Sequence, residues 1–259
     1  MKILFNKYEG AGNDFIVVRN SPEVISRDDS LLISRLCDRH FGIGADGLIL
    51  VEECESYDFS MIYFNSDGSR GAMCGNGGRC ASHFAMKTMT GFRDLIFMAD
   101  DGPHAAHPID ERTIEISIGN VSEVRQTPDG FFVNTGVPHL VVFTESTEAE
   151  DFVSFARPLR FAEGYAPDGV NVNLVQVSDD ILKVRTYERG VEDETLACGT
   201  GVTASAIAAA KAGKIVTDHP QVITRGGKLS VRFVLNARGA SDIYLTGPAT
   251  FVFNGEIEI

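Results

Sequence analysis

Two short stretches, Cys74-Gly75-Asn76-Gly77 and Cys198-Gly199-Thr200-Gly201, place a thiol directly ahead of a glycine-flanked turn that opens a helix. They stand 124 residues apart (74 to 198) in a chain of 259. A cysteine at a helix start lies among backbone N–H groups that lack intrahelical partners, at the positive end of the helix dipole. That position favours thiolate over thiol and lowers the cysteine pKa from about 8.5. The glycines let a ligand approach the backbone, where the same N–H groups can hold a carboxylate. Two such turns gripping one carboxylate suit the inversion of a carbon that bears a hydrogen next to that group. One thiolate removes the proton from one face, the opposite thiol delivers a proton to the other, and the N–H donors stabilise the charge pushed onto the carboxylate. Such chemistry needs no metal and no organic cofactor. The chain has no Walker turn and no His-Glu-x-x-His.

The elements that carry these turns look duplicated. Gly12 and Gly136 are also 124 residues apart, and both Asn13-Asp14-Phe15-Ile16-Val17-Val18 and Val137-Pro138-His139-Leu140-Val141-Val142 run from turn-forming residues into a strand; Asp101-Gly102 and Gly226-Gly227 match at an offset of 125. A repeat this long implies two domains of one fold related by a pseudo-twofold. Each cysteine then faces a shared cleft from opposite sides. In the first half the pattern predicts a strand at 16–18, a short helix over Ser30–Asp38 with Ser30 as N-cap, strands at 48–52 and 59–64, a turn at Asn65-Ser66-Asp67-Gly68, and a helix from Cys74 to about Met89. In the second half it predicts strands at 131–134, 140–143, 172–177 and 181–187, and short strands around Val222, Val231, Ile243 and Phe251. The helix over 201–212 is built of small and apolar residues on nearly all sides, so it must be buried all round, with Gly213 as its stop. The expected fold class is therefore α/β of the α+β type: two pseudo-symmetric domains, each a mostly antiparallel mixed sheet curled around a central helix. The expected domains are 1–118 and 119–245, with the tail 246–259 returning to the first.

Composition bounds the rest. Hydrophobic residues make up 44% of the chain, enough for a core in each half. A formal net charge of −13, with no Lys/Arg cluster to offset it, argues against a nucleic-acid partner. No apolar run approaches a membrane span and the N-terminus lacks a signal-peptide pattern, so the expectation is a cytoplasmic protein without a membrane partner. The five cysteines, at 37, 54, 74, 80 and 198, lack Cys-x-x-Cys spacing, so the reading is free thiols and no metal site.

Six segments in order, Gly10-Ala11-Gly12-Asn13-Asp14-Phe15, Gly42-Ile43-Gly44-Ala45-Asp46-Gly47, Asn65-Ser66-Asp67-Gly68, Cys74-Gly75-Asn76-Gly77, Glu188-Arg189-Gly190 and Ala197-Cys198-Gly199-Thr200-Gly201, together resemble the diaminopimelate epimerase family, and the likeness spans essentially the whole chain. The resemblance implies a cofactor-independent isomerase that interconverts LL- and meso-diaminopimelate in lysine and peptidoglycan-precursor synthesis, and a homodimer. It implies Cys74 and Cys198 as the acid/base pair, with His139 and Glu188 tuning the thiols. Gly75, Asn76, Gly199 and Thr200 bind the carboxylate at the reacting centre, Asn13 lies near its amino group, and Asn65, Asn171, Glu188 and Arg189 read the far end of the substrate. An Arg beside a Glu can match the carboxylate and ammonium of a second amino-acid head. The chain departs from the commonest family pattern at Gly47, where many members carry Gln, at Val137, where a Gly-Asn-Pro-His motif has Asn, and in a loop one residue longer between Glu188 and Cys198.

Blander readings stand beside these. A lone cysteine before a helix is most often a small packing residue, and Cys37, Cys54 and Cys80 are read so. His104-Ala105-Ala106-His107 is read as a solvated loop without an acidic partner, because Gly102 and Pro103 precede it. Asn13 and Asn65 sit in glycine-rich turns where Asn is favoured for backbone reasons alone, and Glu188-Arg189 has the form of an ordinary surface pair. The competing functions are a two-thiol proline or hydroxyproline racemase, whose single-headed substrate leaves Glu188 and Arg189 without work, and a non-catalytic amino-acid binding protein or a redox protein that pairs the two cysteines.

Overall fold

The apolar run Leu48-Ile49-Leu50-Val51 has no polar face to give to water, and the fold covers every residue of it. The computed structural model describes residues 2–148 and 151–259 and divides into two units, one of residues 1–116 with 247–259 and the other of residues 117–246. In the first, strand β3 (Gly47–Glu52) is buried throughout. It runs parallel to β2 (Asn13–Arg19) and antiparallel to β4 (Phe59–Asn65). A strand with a helix on each face is buried on both sides and loses the polar alternation. On one face Leu48 and Leu50 join Ile16, Val18, Ile62 and Phe64 in a cluster with Ile33 and Leu36 of helix α1 (Ser30–Cys37). On the other, Ile49 and Met61 meet helix α2 (Gly75–Ala85), where a Cβ on Gly77 would lie 3.1 Å from Ile49 Cδ1 and 3.2 Å from Met61 Cε. Every residue of α2 is buried. With several glycines and little helix propensity, it owes its stability to this packing.

Strands β1 (Lys2–Gly10), β5 (Leu95–Ala99), β6 (Gly102–Pro108) and β7 (Thr113–Ile118) extend the sheet. Beyond Ala85 the α2 helix continues as a single π-type turn over Met86–Thr90. The N-cap of α1 is Asp29, whose carboxylate accepts the Leu32 N–H at 3.0 Å, and not Ser30. Both residue types cap well, and the chain uses the one that precedes the first helical residue.

The second unit repeats the strand pairing of the first and adds one short strand, β13. It comprises β8 (Val124–Thr127), β9 (Gly130–Asn134), β10 (Pro138–Phe143), α3 (Phe152–Arg160), β11 (Asn171–Ser178), β12 (Ile181–Glu188), β13 (Asp193–Thr195), α4 (Gly199–Lys211), β14 (Gln221–Thr224), β15 (Gly227–Leu235) and β16 (Ala240–Pro248). In the first unit β1/β2 is antiparallel, β2/β3 parallel, β3/β4 antiparallel, β4/β5 parallel and β5/β6 antiparallel. The second gives the same series for β9/β10, β10/β11, β11/β12, β12/β14 and β14/β15. The parallel crossovers are made through α1 and α2 in one unit and α3 and α4 in the other, as parallel pairing requires. The register repeats to the residue: Phe15 pairs with Gly47 in β2/β3, and the positions 124 further on, His139 and Asn171, pair in β10/β11. The turn glycines at the matched offsets adopt positive φ in both units, at 85° for Gly12 and 102° for Gly136, and at 127° for Gly102 and 145° for Gly227. The last strand, β17 (Thr250–Glu258), returns to pair antiparallel with β1. This is the mixed, mostly antiparallel α/β architecture expected from the duplication. Helix α4 is buried along Gly201–Ala209, as its composition demanded, and ends at Gly213 with φ 66°.

The His104–His107 segment is not a loop. It lies within β6; His104 is buried, stacks on Phe97 with centroids 5.3 Å apart and reaches Asp101 Oδ1 at 2.9 Å, while His107 meets Asp94 at 3.0 Å. The hairpin turns at Asp100-Asp101, so Gly102 opens the next strand, and the period-two alternation puts His104 and Ala106 inward. Cys37 and Cys80 are buried, whereas Cys54 is only partly covered. Among the described residues no helix is long and apolar enough to cross a membrane.

Candidate active site

Both thiols occupy the N-cap position of a buried helix. Cys74 precedes α2 with φ −103° and ψ 117°, and Cys198 precedes α4 with φ −114° and ψ 110°. Neither side chain caps its own helix, so the N–H groups of the first turn are not taken up by the cysteine sulfur.

In the first unit the thiol turn belongs to an ordered row of polar groups. Cys74 Sγ lies 3.8 Å from Asn13 Oδ1, and Asn76 Nδ2 approaches the same oxygen at 3.5 Å. Asn13 Nδ2 donates to Asp46 Oδ2 at 2.7 Å, and Asp46 is held by Arg39 at 2.8 Å. At the other end Arg79, fully buried, donates to Asn76 Oδ1 at 3.0 Å. A cation at one end and a carboxylate at the other fix the orientation of both amides. Asp14, next to Asn13, accepts from Arg39 and pairs with Lys7 at 2.7 Å. Burial opposes its ionisation, but the Arg39 and Lys7 contacts outweigh this and hold its carboxyl well below the usual range. Asn65, at the end of β4, donates to Ser69 Oγ at 3.1 Å and its carbonyl closes the following turn through Gly68 N–H at 3.0 Å.

Tyr63 accounts for the glycine at position 47. A Cβ on Gly47 would lie 2.5 Å from Tyr63 Cε2 and 2.6 Å from Phe64 O, and one on Gly71 would lie 2.5 Å from Tyr63 Cδ1. The ring therefore occupies the space that a larger side chain at 47 would need, and it packs edge-on against Phe15 at 6.1 Å.

In the second unit Cys198 Sγ is 3.3 Å from Thr200 Oγ1, and Thr135 Oγ1 donates to the Thr200 carbonyl at 3.1 Å. His139 is wholly buried beside Asn171 in the sheet register. Its Nδ1 meets Asn173 Nδ2 at 3.1 Å, while Asn173 Oδ1 accepts from Thr186 Oγ1 at 2.9 Å. An amide N–H can only donate, which assigns the imidazole proton to Nε2, and that atom has no hydrogen-bond partner among the described residues. Burial first, then the nearby Arg189 charge, pushes the His139 pKa down to about 3, so the ring is neutral at physiological pH. Asn171 Oδ1 accepts the Arg189 N–H at 2.7 Å, which holds the Glu188-Arg189 corner against β11. The longer loop is a tight turn in which Glu192 accepts Gly190 N–H at 3.0 Å and pairs with Arg160 at 2.9 Å.

The structure thus brings Asn13, Cys74 and Asn76 together in one unit, where Asn65 bonds within its own turn; in the other unit it sets His139 and Arg189 against Asn171, and Cys198 against Thr200. The sequence reading assigns no role to Asp46, Tyr63, Arg79, Thr135 or Asn173. Asn173 was open to discovery, since Asn-Val-Asn over 171–173 puts both amides on one strand face.

A family model described as diaminopimelate epimerase matches residues 5–122 and 131–252 of this chain. The chain belongs to the diaminopimelate epimerase family. A diaminopimelate epimerase of Flavobacterium psychrophilum is 44% identical over 252 residues, covering 97% of this chain and 98% of that protein. One from Archaeoglobus fulgidus is 36% identical over 281 residues, covering 100% and 98%. Among solved structures, a phenazine biosynthesis protein of the PhzF family from Bacillus anthracis superposes with a TM-score of 0.78 at 12% identity over 100% of both chains. A probable proline racemase from Agrobacterium radiobacter gives 0.70 at 16% identity over 99% of this chain and 93% of that one. These two share the fold of the diaminopimelate epimerase family.

Proposed function

We propose that this member of the diaminopimelate epimerase family inverts one α-carbon of diaminopimelate with Cys74 and Cys198 as its two acid/base groups. The observation that carries the reading is the duplicated N-cap thiol: two buried helices, at matched positions of two units with the same topology, each begin at a cysteine. One sulfur, as thiolate, takes the α-proton and becomes a thiol. The other, as thiol, delivers its proton to the opposite face of the carbon and is left as thiolate. The sum is inversion with no net change in protons. First-turn N–H groups at Gly75, Asn76, Gly199 and Thr200 hold the carboxylate on the reacting carbon, where negative charge develops. Asn13 takes the adjacent ammonium; its Oδ1 already lies near the Cys74 sulfur.

Asn65, Asn171, Glu188 and Arg189 recognise the second amino-acid head in this proposal. The Asn171 Oδ1 bond to Arg189 N–H supports it, because it leaves the Asn171 amide N–H groups to donate to an anion. His139, as a neutral ring, and Glu188 tune the thiols in this reading. The reaction uses no cofactor. A cytoplasmic location and a homodimer are part of the same reading, the homodimer carried by family resemblance alone.

The test is exchange in heavy water. Wild-type protein incorporates deuterium at the α-carbon of LL-diaminopimelate as it forms the meso isomer, and Cys74→Ala or Cys198→Ala lowers inversion by at least about 10³-fold, within the range for lost acid/base groups. Proline offered in place of diaminopimelate remains unexchanged. Inversion that survives either substitution at near wild-type rate refutes the two-thiol reading.

A further inference from the structure

The two thiol turns differ in what lies beneath them. Five residues after Cys74 stands Arg79, whose guanidinium is entirely inside the first unit. It donates from Nε to the Pro248 carbonyl at 3.1 Å, from Nη1 to the Gly75 carbonyl at 3.5 Å and from Nη2 to Asn76 Oδ1 at 3.0 Å. Two of these acceptors belong to the thiol turn itself. None carries a net charge, and among the described residues no carboxylate lies within ion-pair distance of Arg79. The position 124 further on is Thr203, whose hydroxyl donates to the Gly199 carbonyl at 3.0 Å. Along α4 the first charged residue is Lys211, at the far end. A buried guanidinium without a counter-charge is costly, and chains retain one where a nearby group supplies the negative charge.

We propose that Arg79 is a positioning residue for Cys74: its buried charge orients the Asn76 amide and stabilises the Cys74 sulfur as thiolate in the resting protein, while Cys198, whose turn has the neutral Thr203 at the matched place, rests as thiol. This rests on the reading of the two cysteines as acid/base groups. It makes the pair ready-charged, one base and one acid, before substrate arrives.

The surroundings of Cys74 narrow the choice of counter-charge. Lys7 on β1, Asp14 on β2, and Arg39 and Asp46 between α1 and β3 are paired among themselves as two cations and two anions. Burial pushes the Cys80 thiol and the Tyr8 hydroxyl far up, so both stay neutral. Burial likewise lowers the pKa of His83, which meets Tyr8 Oη at 3.2 Å and the Glu111 carbonyl at 2.9 Å. Glu9 on β1 accepts the Gly12 N–H at 3.1 Å, which engages its carboxylate within its own turn. The Asn13 carbonyl oxygen near the sulfur favours the thiol form, but as a dipole at 3.8 Å it opposes a full buried charge.

Pulsed alkylation with iodoacetamide across pH 5–9.5, read cysteine by cysteine through peptide mass spectrometry on the full chain, gives each thiol its own midpoint regardless of exposure, because the thiolate is the species that reacts. The Cys74 midpoint lies below that of Cys198 by at least about one pH unit, a tenfold difference in thiolate fraction. Arg79→Gln raises the Cys74 midpoint by about the same amount and leaves Cys198 where it was, while Arg79→Lys, which keeps the charge, retains most of the difference. Equal midpoints in the wild-type protein overturn the proposal with no variant needed, and so does a folded Arg79→Gln protein whose Cys74 midpoint does not move. None of these readouts depends on turnover, so a failure of the acid/base reading in the exchange experiment remains distinguishable.

Discussion

At the scale of single residues, the site separates groups whose charge is fixed from one whose neutrality is enforced. His139 is the latter. Its folded pKa of about 3 lies below the ordinary histidine value of about 6.5, so between those values the unfolded chain holds a proton that the folded chain does not. Stability contributed by this residue is therefore full above about pH 6.5 and declines as pH falls, by about 1.4 kcal/mol per unit in the steep part of the window. His139→Gln keeps an acceptor for Asn173 and removes the titration. Denaturant unfolding from pH 6 to pH 4 accordingly shows a shallower acid decline for His139→Gln than for wild type, the carboxylate contributions cancelling in the difference; parallel curves disprove the assignment. Gly47 makes a steric prediction of the same kind. Gly47→Ala drives a methyl into the Tyr63 ring and the Phe64 carbonyl oxygen. It lowers unfolding free energy by about 1–3 kcal/mol, the usual cost of overpacking, and an unchanged urea midpoint contradicts it.

At the scale of elements, the caps and strand ends decide where side chains point. Asp29→Ala removes the carboxylate that caps α1 and costs about 1 kcal/mol, whereas Ser30→Ala costs little because Ser30 already lies inside the helix. Comparing the two variants in urea checks the cap directly. The same locality explains what the sequence disclosed. The thiol turns were legible because a cysteine followed by two spaced glycines limits the local backbone, and α4 because a run of small apolar residues excludes an exposed face. Segment 104–107 was misread because Gly102 and Pro103 have turn chemistry, while the actual turn is made by the two aspartates before them. Arg79 and Tyr63 were beyond a local reading. The burial of Arg79 depends on a carbonyl at Pro248, 169 residues away, and the position of Tyr63 depends on glycines in two other segments.

At the scale of the whole molecule, the chain closes its first unit with its last strand. Strand β1 pairs β2 on one side and β17 on the other, with partners from Lys2–Glu258 to Glu9–Thr250. Phe253 packs edge-on against Phe5 at 6.0 Å and Phe251 against Tyr8 at 5.7 Å. Ending the chain after Ala249 keeps the Pro248 carbonyl that Arg79 needs but turns β1 into an edge strand and uncovers both aromatic contacts. An edge strand with unpaired N–H and C=O groups opens more readily than an interior one. Cys37 and Cys80, buried in the first unit, report that opening: in the shortened chain their reaction with a thiol reagent rises at least about tenfold, which corresponds to about 1.4 kcal/mol of lost protection. The Cys74 alkylation midpoint holds its wild-type value as long as α2 stays folded, since Arg79 keeps all three of its acceptors. Protection of Cys37 and Cys80 that matches the full chain shows instead that β17 contributes nothing to the unit it completes.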